Sequence, residues 1–351
     1  MIYYLKDYVM KGNHAGSKAV ADCEQILKDL DYNELDLKIG KFVYYYTGFF
    51  IRQINMRKLK KDDIVVIQYP QHGKKNKSMT RNFKFLRKKG VKLIAIIHDV
   101  QSLREQENID KIENEIDILN SFNVLISHNK SMTEWLIGKG YKNQVVNLNI
   151  FDYLSEEKNI LDTNLDFKKV YFAGNLEKNK SGFLYKDDME KVKVSIDLFG
   201  PNYIEKESKG LVNYKGNFPP NKLSENFKEG FGLIWDGMSI TECSGKYGEY
   251  LKYNNPHKAS LYLSSGLPII VWNKSAIASF ILENKVGFTI GSLDQMQSYL
   301  DDITQEEYRK LKKNVLMMQQ KIISGTFMKE ALIKAVKIAD NNLKKHEASV
   351  S

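Results

Sequence analysis

In each half of this chain, five short apolar runs end at a glycine or a polar residue, and most lead into an amphipathic stretch. The first half has residues 1–8 (MIYYLKDY), 63–68 (DIVVIQ), 91–97, 123–127 and 145–148. The second has 170–173 (VYFA), 194–198, 232–235, 267–272 and 287–290. Such runs suit strands buried on both faces of a parallel sheet. Between residues 17 and 30, Ala19, Val20, Cys23, Ile26, Leu27 and Leu30 recur at three and four residues, which predicts a helix with one apolar face. Strand–helix alternation predicts an α/β architecture of parallel sheets covered by helices. A chain of 351 residues exceeds what a single core usually fills, so two Rossmann-like domains are expected. Their expected limits are 1–155 and 165–325, joined by a polar stretch (SEEKNILDTNLD), with 326–351 as an amphipathic helix and tail.

Composition narrows the setting. Mean hydropathy is −0.43 and no run of about 18 apolar residues occurs, so no membrane-spanning helix is expected. The first residues lack a basic segment followed by an apolar one, so no secretory signal is read. Two distant cysteines, Cys23 and Cys243, fit a reduced, cytoplasmic location. The net charge of +10 admits anionic small molecules, anionic lipid or nucleic acid as partners. Residues 72–92 concentrate it: Lys74, Lys75, Lys77, Arg81, Lys84, Arg87, Lys88, Lys89 and Lys92 occur with no acidic residue among them. A solvated face and docking to an anionic membrane surface both account for this run. Nucleic-acid binding is not expected, because no zinc knuckle, RNA-binding signature or helix-turn-helix pattern accompanies it.

In open α/β sheets ligands sit beyond the carboxyl ends of the strands. One such end is 172–180 (FAGNLEKNK), where Gly174 and Asn175 allow close backbone approach and Lys178 and Lys180 add charge suited to a diphosphate. A second is 253–271, where Tyr253, Asn254 and Asn255 precede Lys258 in the first turn of a short helix, closed by Gly266 and Pro268. A lysine in a first helical turn opposes the helix dipole unless an anion lies near. At the end of another strand, His98 and Asp99 are candidates for orienting an acceptor and accepting its proton; Asp99 is equally a candidate helix cap. Gln68 ends the preceding strand. The loop after the first strand holds Gly12, Asn13, His14 and Gly16, with His14 a further candidate to bind a hydroxyl or act as a base. Neither a GxxxxGK[ST] phosphate loop nor GxGxxG occurs. No carboxylate pair at a strand end resembles a metal site, so a metal-independent reaction without a cofactor is expected.

The pattern K-x7-G-x-P-I-I at 258–270, preceded by 230–236 (GFGLIWD), resembles the donor domain of GT-B glycosyltransferases. It is most similar to the group of bacterial galactofuranosyltransferases and the streptococcal glucosyltransferase that extends GlcNAc on serine-rich repeat adhesins. The likeness extends to 97–100 (IHDV) and 172–175 (FAGN) and to the strand order through most of the chain. It implies two Rossmann-like domains facing a central cleft, with the C-terminal helix crossing back to the first. It also implies hexosyl transfer, of galactofuranose or glucose, from a UDP-sugar to a glycan, lipid-linked or glycoprotein acceptor in cell-surface polysaccharide or glycoprotein synthesis. On the donor side, Lys178 and Lys258 would hold the diphosphate. Phe199, Gly200, Asn217 and Pro219 would lie beside the base, and Tyr253, Asn254 and Asn255 would face the ribose, diphosphate or sugar. Gly12, Asn13, Gly16 and Gln68 would border the acceptor side. The resembling enzymes are often oligomeric, so a homo-oligomer is among the expectations, as is peripheral attachment to the inner membrane face through 74–92. One departure stands out. Many retaining members carry two glutamates before the Gly-x-Pro turn; Tyr253 and Leu261 occupy those places. A basic binding or scaffold protein, or another nucleotide-dependent α/β enzyme, is the alternative.

Overall fold

The computed structural model describes residues 1–7, 15–36, 56–71, 76–156 and 166–347. They divide into two compact units. The first comprises Met1–Lys11, Val20–Leu148 and Met328–Ser351, the second Gly12–Ala19 and Asn149–Phe327.

The first unit is built on a parallel sheet of six strands: β1 (Ile2–Leu5), β2 (Asn33–Leu35), β3 (Ile64–Tyr69), β4 (Lys92–Ile97), β5 (Val124–Ser127) and β6 (Gln144–Asn147). Their spatial order is 2-1-3-4-5-6. The middle strands β3, β4 and β5 are buried almost throughout, as continuous apolar runs require when helices cover both faces. The second unit repeats the plan with β7 (Val170–Ala173), β8 (Ile196–Phe199), β9 (Val212–Gly216), β10 (Phe231–Ile234), β11 (Ile269–Trp272) and β12 (Gly287–Ile290), in the order 12-11-10-7-8-9. Every pairing in both sheets is parallel.

Two strands escaped the sequence reading, β2 and β9. Each is an edge strand, and each exposes several residues. An edge strand lacks the continuous burial that writes an apolar run. The unit boundaries also differ from the expected ones. Residues 149–153 belong to the second unit, because their backbone is bonded into it. Asn149 O accepts from Asn255 Nδ2 at 2.9 Å, Phe151 O from Ser260 Oγ at 2.7 Å, and Tyr153 N–H donates to Ile322 O at 3.2 Å. Lys18 joins the same unit through Leu154 O, 2.7 Å from its Nζ, with its ammonium 4.6 Å from the Tyr153 ring centre. Of the polar joining stretch 155–166, residues 157–165 lie outside the described residues. The C-terminal helix Thr326–Glu347 begins in the second unit and, from Met328, counts with the first.

The order 12-11-10-7-8-9 places the reversal of winding between β7 and β10. There the two strands share register only at Phe231↔Val170 and Gly232↔Tyr171 and then separate. Tyr262, fully buried on the helix His257–Ser264, occupies the gap. Its hydroxyl accepts from Ala173 N–H at 2.8 Å and donates to Leu233 O at 3.3 Å, so it satisfies groups the parted ladder leaves over. Its ring lies against Gly232, where a Cβ would stand 2.1 Å from Tyr262 Cγ. A buried triad supports the other side: Glu229 Oε2 accepts from Tyr308 OH at 2.5 Å and pairs with Lys312 Nζ at 3.0 Å. Tyr308 and Lys312 have the Y-x-x-x-K spacing of an epimerase acid–base pair, yet both are committed to this internal carboxylate. Tyr262→Phe keeps the packing and strands Ala173 N–H. We expect a loss of about 1–3 kcal/mol in denaturant unfolding, the usual cost of an unsatisfied buried group.

Candidate functional site

A pocket of about 380 Å³ opens at the carboxyl ends of the second sheet, where β7 and β10 part. That is the position a topological switch point favours for a ligand, and the volume falls in the ordinary range for small-molecule sites. Each strand end contributes for a local reason. Gly174 follows β7 and Gly200 follows β8, and their backbones approach closely. Gly174 N–H donates to Phe199 O at 2.9 Å and Gly200 N–H to Gly216 O at 2.9 Å. Gly200 has φ +140°, and a Cβ there would stand 1.8 Å from Gly174 O. The floor therefore exposes backbone rather than side chains. Phe199, Phe218 and Leu223 line an apolar side, and Asn217 adds an amide.

Lys258 reaches this floor from the helix His257–Ser264. Its side chain is only 11% exposed; its Nζ lies 2.7 Å from Asp236 Oδ1, 3.3 Å from Trp235 O and 4.3 Å from the Phe172 ring centre. The sequence asked what anion offsets a lysine in a first helical turn. Asp236, itself 8% exposed, supplies part of the answer. Burial pushes the Lys258 ammonium below its ordinary pKa, Asp236 opposes that shift, and the nearby Lys180 ammonium adds to it.

Lys180 lines the pocket and Lys178 does not. Lys178 pairs with Glu207 at the surface. Both belong to the short helix Lys178–Ser181. Residues two apart on a helix point about 200° apart, so one can face the strand ends. The residue pattern named both lysines and the resemblance chose Lys178; the pocket takes Lys180. Among the described residues Lys180 has no ion pair; its ammonium rests 5.3 Å from the Tyr247 ring centre.

The other donor-side candidates separate in the same way. Gly174, Asn175, Phe199, Gly200, Asn217, Asn254 and Lys258 line the pocket; Pro219, Tyr253 and Asn255 do not. Pro220 takes the place expected for Pro219, its carbonyl receiving Tyr153 OH at 2.9 Å. Asn255 is buried and donates to Asn149 O, a structural role. Asn254 Oδ1 is buried with no hydrogen-bond partner among the described residues. Gly16, expected on the acceptor side, lines this same pocket. The sequence reading also omitted Asp236 and His257 from the site. Asp236 follows a strand end, a signal that was available; His257 adjoins Lys258 and stacks on Phe151 with ring centres 4.8 Å apart.

In the first unit, His98 and Gln68 meet. Gln68 Nε2 donates to Val20 O at 3.2 Å, which turns Oε1 toward His98 Nε2, 2.7 Å away. That nitrogen must then be the donor. Asp99 does not cap the following helix, whose N-cap is Val100; it pairs with Arg104 at 2.8 Å. A guanidinium at that distance competes with any hydroxyl offered to Asp99 as a base. Nearby His128 is fully buried and donates to Ile97 O and His98 O, both at 3.1 Å; burial pushes its pKa down to about 3, so it stays neutral at physiological pH. Gly12, Asn13 and His14 lie outside the described residues. Of the basic run, Lys89 is spent on the carbonyls of Met56, Arg57 and Leu59, and Arg87 on Asn120 O. Arg81, Lys84 and Lys88 are exposed. No group of three potential metal ligands occurs among the described residues, and no helix among them is long and apolar enough to cross a membrane.

Comparison with known proteins decides the family. Residues 2–150 match the model "Glucosyltransferase 3-like, N-terminal domain" and residues 170–335 match "Glucosyltransferase 3-like, C-terminal domain". The β-1,6-galactofuranosyltransferase WbbI of Escherichia coli K12 is 32% identical over 342 residues, 94% of this chain and 97% of that protein. The chain belongs to the glucosyltransferase 3-like family. A second relative, glucosyltransferase 3 of Streptococcus gordonii, is 27% identical over 337 residues, 94% of this chain and 96% of its own length. Among solved structures, the Anabaena protein HepE in complex with UDP superposes with a TM-score of 0.55 at 10% identity, covering 99% of both chains. At that identity the likeness speaks to the fold, a two-unit α/β architecture of the GT-B type.

The two floor glycines make opposite predictions for this family member. Gly200→Ala drives a methyl into a backbone carbonyl and should cost about 1–3 kcal/mol or more. Gly174→Ala meets only the end of Lys258, with Cε at 2.9 Å and Nζ at 3.4 Å. It should melt close to wild type, because the lysine tip can swing away. Thermal denaturation of the two variants side by side checks this.

Proposed function

We propose that this chain is a hexosyltransferase that moves galactofuranose or glucose from a UDP-sugar to a glycan, lipid-linked or glycoprotein acceptor in cell-surface polysaccharide or glycoprotein synthesis. The observation that carries the reading is the convergence of two ammonium groups, Lys180 and Lys258, on one glycine-floored pocket at the switch point. Like charges repel in a partly desolvated pocket, and a diphosphate between them relieves that cost. The apolar side formed by Phe199 and Phe218 suits a base. The pairing of family relatives that carry galactofuranosyl and glucosyl names supports hexosyl transfer as the reaction.

As the glycosidic bond to the donor phosphate breaks, negative charge builds on the departing UDP. Lys258 and Lys180 are positioned to neutralise it, an effect worth several kcal/mol in a site that excludes water. Asn254 Oδ1 accepts a hydroxyl of the donor. On the acceptor side, His98, fixed by Gln68, orients the incoming hydroxyl, with Asp99 beside it. The reaction on this reading needs no metal, since the lysines take the cation's role. The enzyme works in the cytoplasm, peripheral to the inner membrane face, where Arg81, Lys84 and Lys88 meet anionic headgroups at roughly 1 kcal/mol each.

The test is direct. UDP at a hundred times its Kd should stabilise the protein by about 2.7 kcal/mol, and a panel of labelled nucleotide sugars with a membrane or peptide acceptor fraction should identify one hexosyl donor. Lys180→Met and Lys258→Met should each lower kcat by about 10²–10³, whereas Lys178→Met should change it less than threefold. A protein that ignores UDP, or transfer abolished by chelation and restored by manganese, overturns the respective part.

A further inference from the structure

Among the described residues lining the pocket Asp236 is the single carboxylate, and it faces the buried Lys258 ammonium. It enters two residues beyond β10, across the parted sheet from Gly174 and Phe172 at the end of β7. One oxygen lies 2.7 Å from Lys258 Nζ. The Trp235 carbonyl, 3.3 Å away, and the Phe172 ring face complete the surroundings of the ammonium. The charged and titratable groups acting on that amine are Asp236, Lys180 and the buried Cys243 thiol. Lys180 repels it, and burial drives the Cys243 thiol up so that it stays neutral. Among the described residues Asp236 is thus the one fixed counter-charge.

We propose that Asp236 is a positioning residue: its carboxylate keeps the Lys258 side chain protonated and aimed at the Gly174 end of the pocket, ready for the donor diphosphate. Three observations carry this beyond a structural ion pair. The pair stands inside the ligand cavity rather than behind it. Lys258 keeps only one carboxylate partner, so an ammonium proton remains for the ligand. And Lys258 Cε packs against Gly174, 2.9 Å from where a Cβ would stand, so the amine lies on the glycine floor of the pocket while still paired with Asp236. Removing the carboxylate leaves burial and Lys180 acting together, both favouring the neutral amine. The sign follows: a variant lacking Asp236 holds a charged Lys258 only at lower pH and loses it as pH rises.

The proposal rests on the reading of this pocket as a nucleoside-diphosphate site, and the experiment separates the two. UDP binding is measured by calorimetry from pH 6 to pH 9.5 on wild type, Asp236→Asn, Lys258→Met and the double variant, with melting curves to confirm folding. The wild-type profile is the reference, since it carries the titration of UDP itself and of a Lys258 already lowered by burial. The Asp236→Asn affinity should fall by about tenfold more than wild type between pH 7 and pH 9.5, following the loss of one proton. In the Lys258→Met background the Asn substitution should add no pH dependence. Folded Asp236→Asn with the wild-type pH profile overturns the positioning role. Absence of UDP binding by wild type, or wild-type binding by Lys258→Met, overturns the reading of the pocket instead. Should Asp236→Asn fail to fold, Asp236→Glu takes its place: its longer arm keeps the charge, so it should preserve the wild-type profile while weakening UDP, and a profile that falls with pH more steeply than wild type counts against the proposal.

Discussion

A parallel sheet bonded along its whole length has no room for a ligand among its central strands. The second unit resolves this by letting β7 and β10 part after two paired residues and filling the opening with one tyrosine. Tyr262 must be flat to lie against Gly232 and must carry a hydroxyl to satisfy Ala173 N–H and Leu233 O. The same helix that delivers Tyr262 to the gap delivers Lys258 one turn earlier to its mouth. Separation of the strands, closure of the core and placement of the cation are thus a single packing event. The buried Glu229–Lys312–Tyr308 group secures the opposite end of β10, so the strand is held at its base and free of β7 at its tip.

Electrostatics then gives the opening its character. A buried ammonium is costly unless paired, and a second ammonium beside it raises the cost. Asp236 offsets only part of this. The pocket as built is short of negative charge, in a protein whose net charge is already +10. Long-range attraction brings anions to such a surface, and the local shortage selects where they stop.

Much of this was legible in the sequence. Continuous apolar runs disclosed the central strands of both sheets, and the K-x7-G-x-P-I-I pattern disclosed the donor half. What was not legible has physical causes. Edge strands β2 and β9 are too exposed to write a buried pattern. Lys178 and Lys180 differ by the phase of a single helical turn, which a string of letters does not fix. Tyr253, Asn254 and Asn255 read as three equal polar residues, yet one faces the pocket while Asn255 is drawn away by the Asn149 carbonyl, 106 positions earlier. Asp99 read equally as cap or base; the helix takes Val100 as its N-cap, and the Arg104 partner five residues on was not foreseen.

The glycine floor has a consequence for how such a site tolerates change. Where Gly174 and Gly200 bring two strand ends together, the floor is shaped by backbone already bonded to itself, a surface that carries no side-chain identity of its own. The neighbouring positions can therefore drift in chemical character while the ligand still meets the same floor. Volume is the quantity the floor polices: a lone methyl at position 200 is less admissible than a change of charge on the rim. Inheritance of the donor half would then be visible as a pattern of vacancies, and the residues filling the rim would be where individual enzymes diverge in the sugar they select.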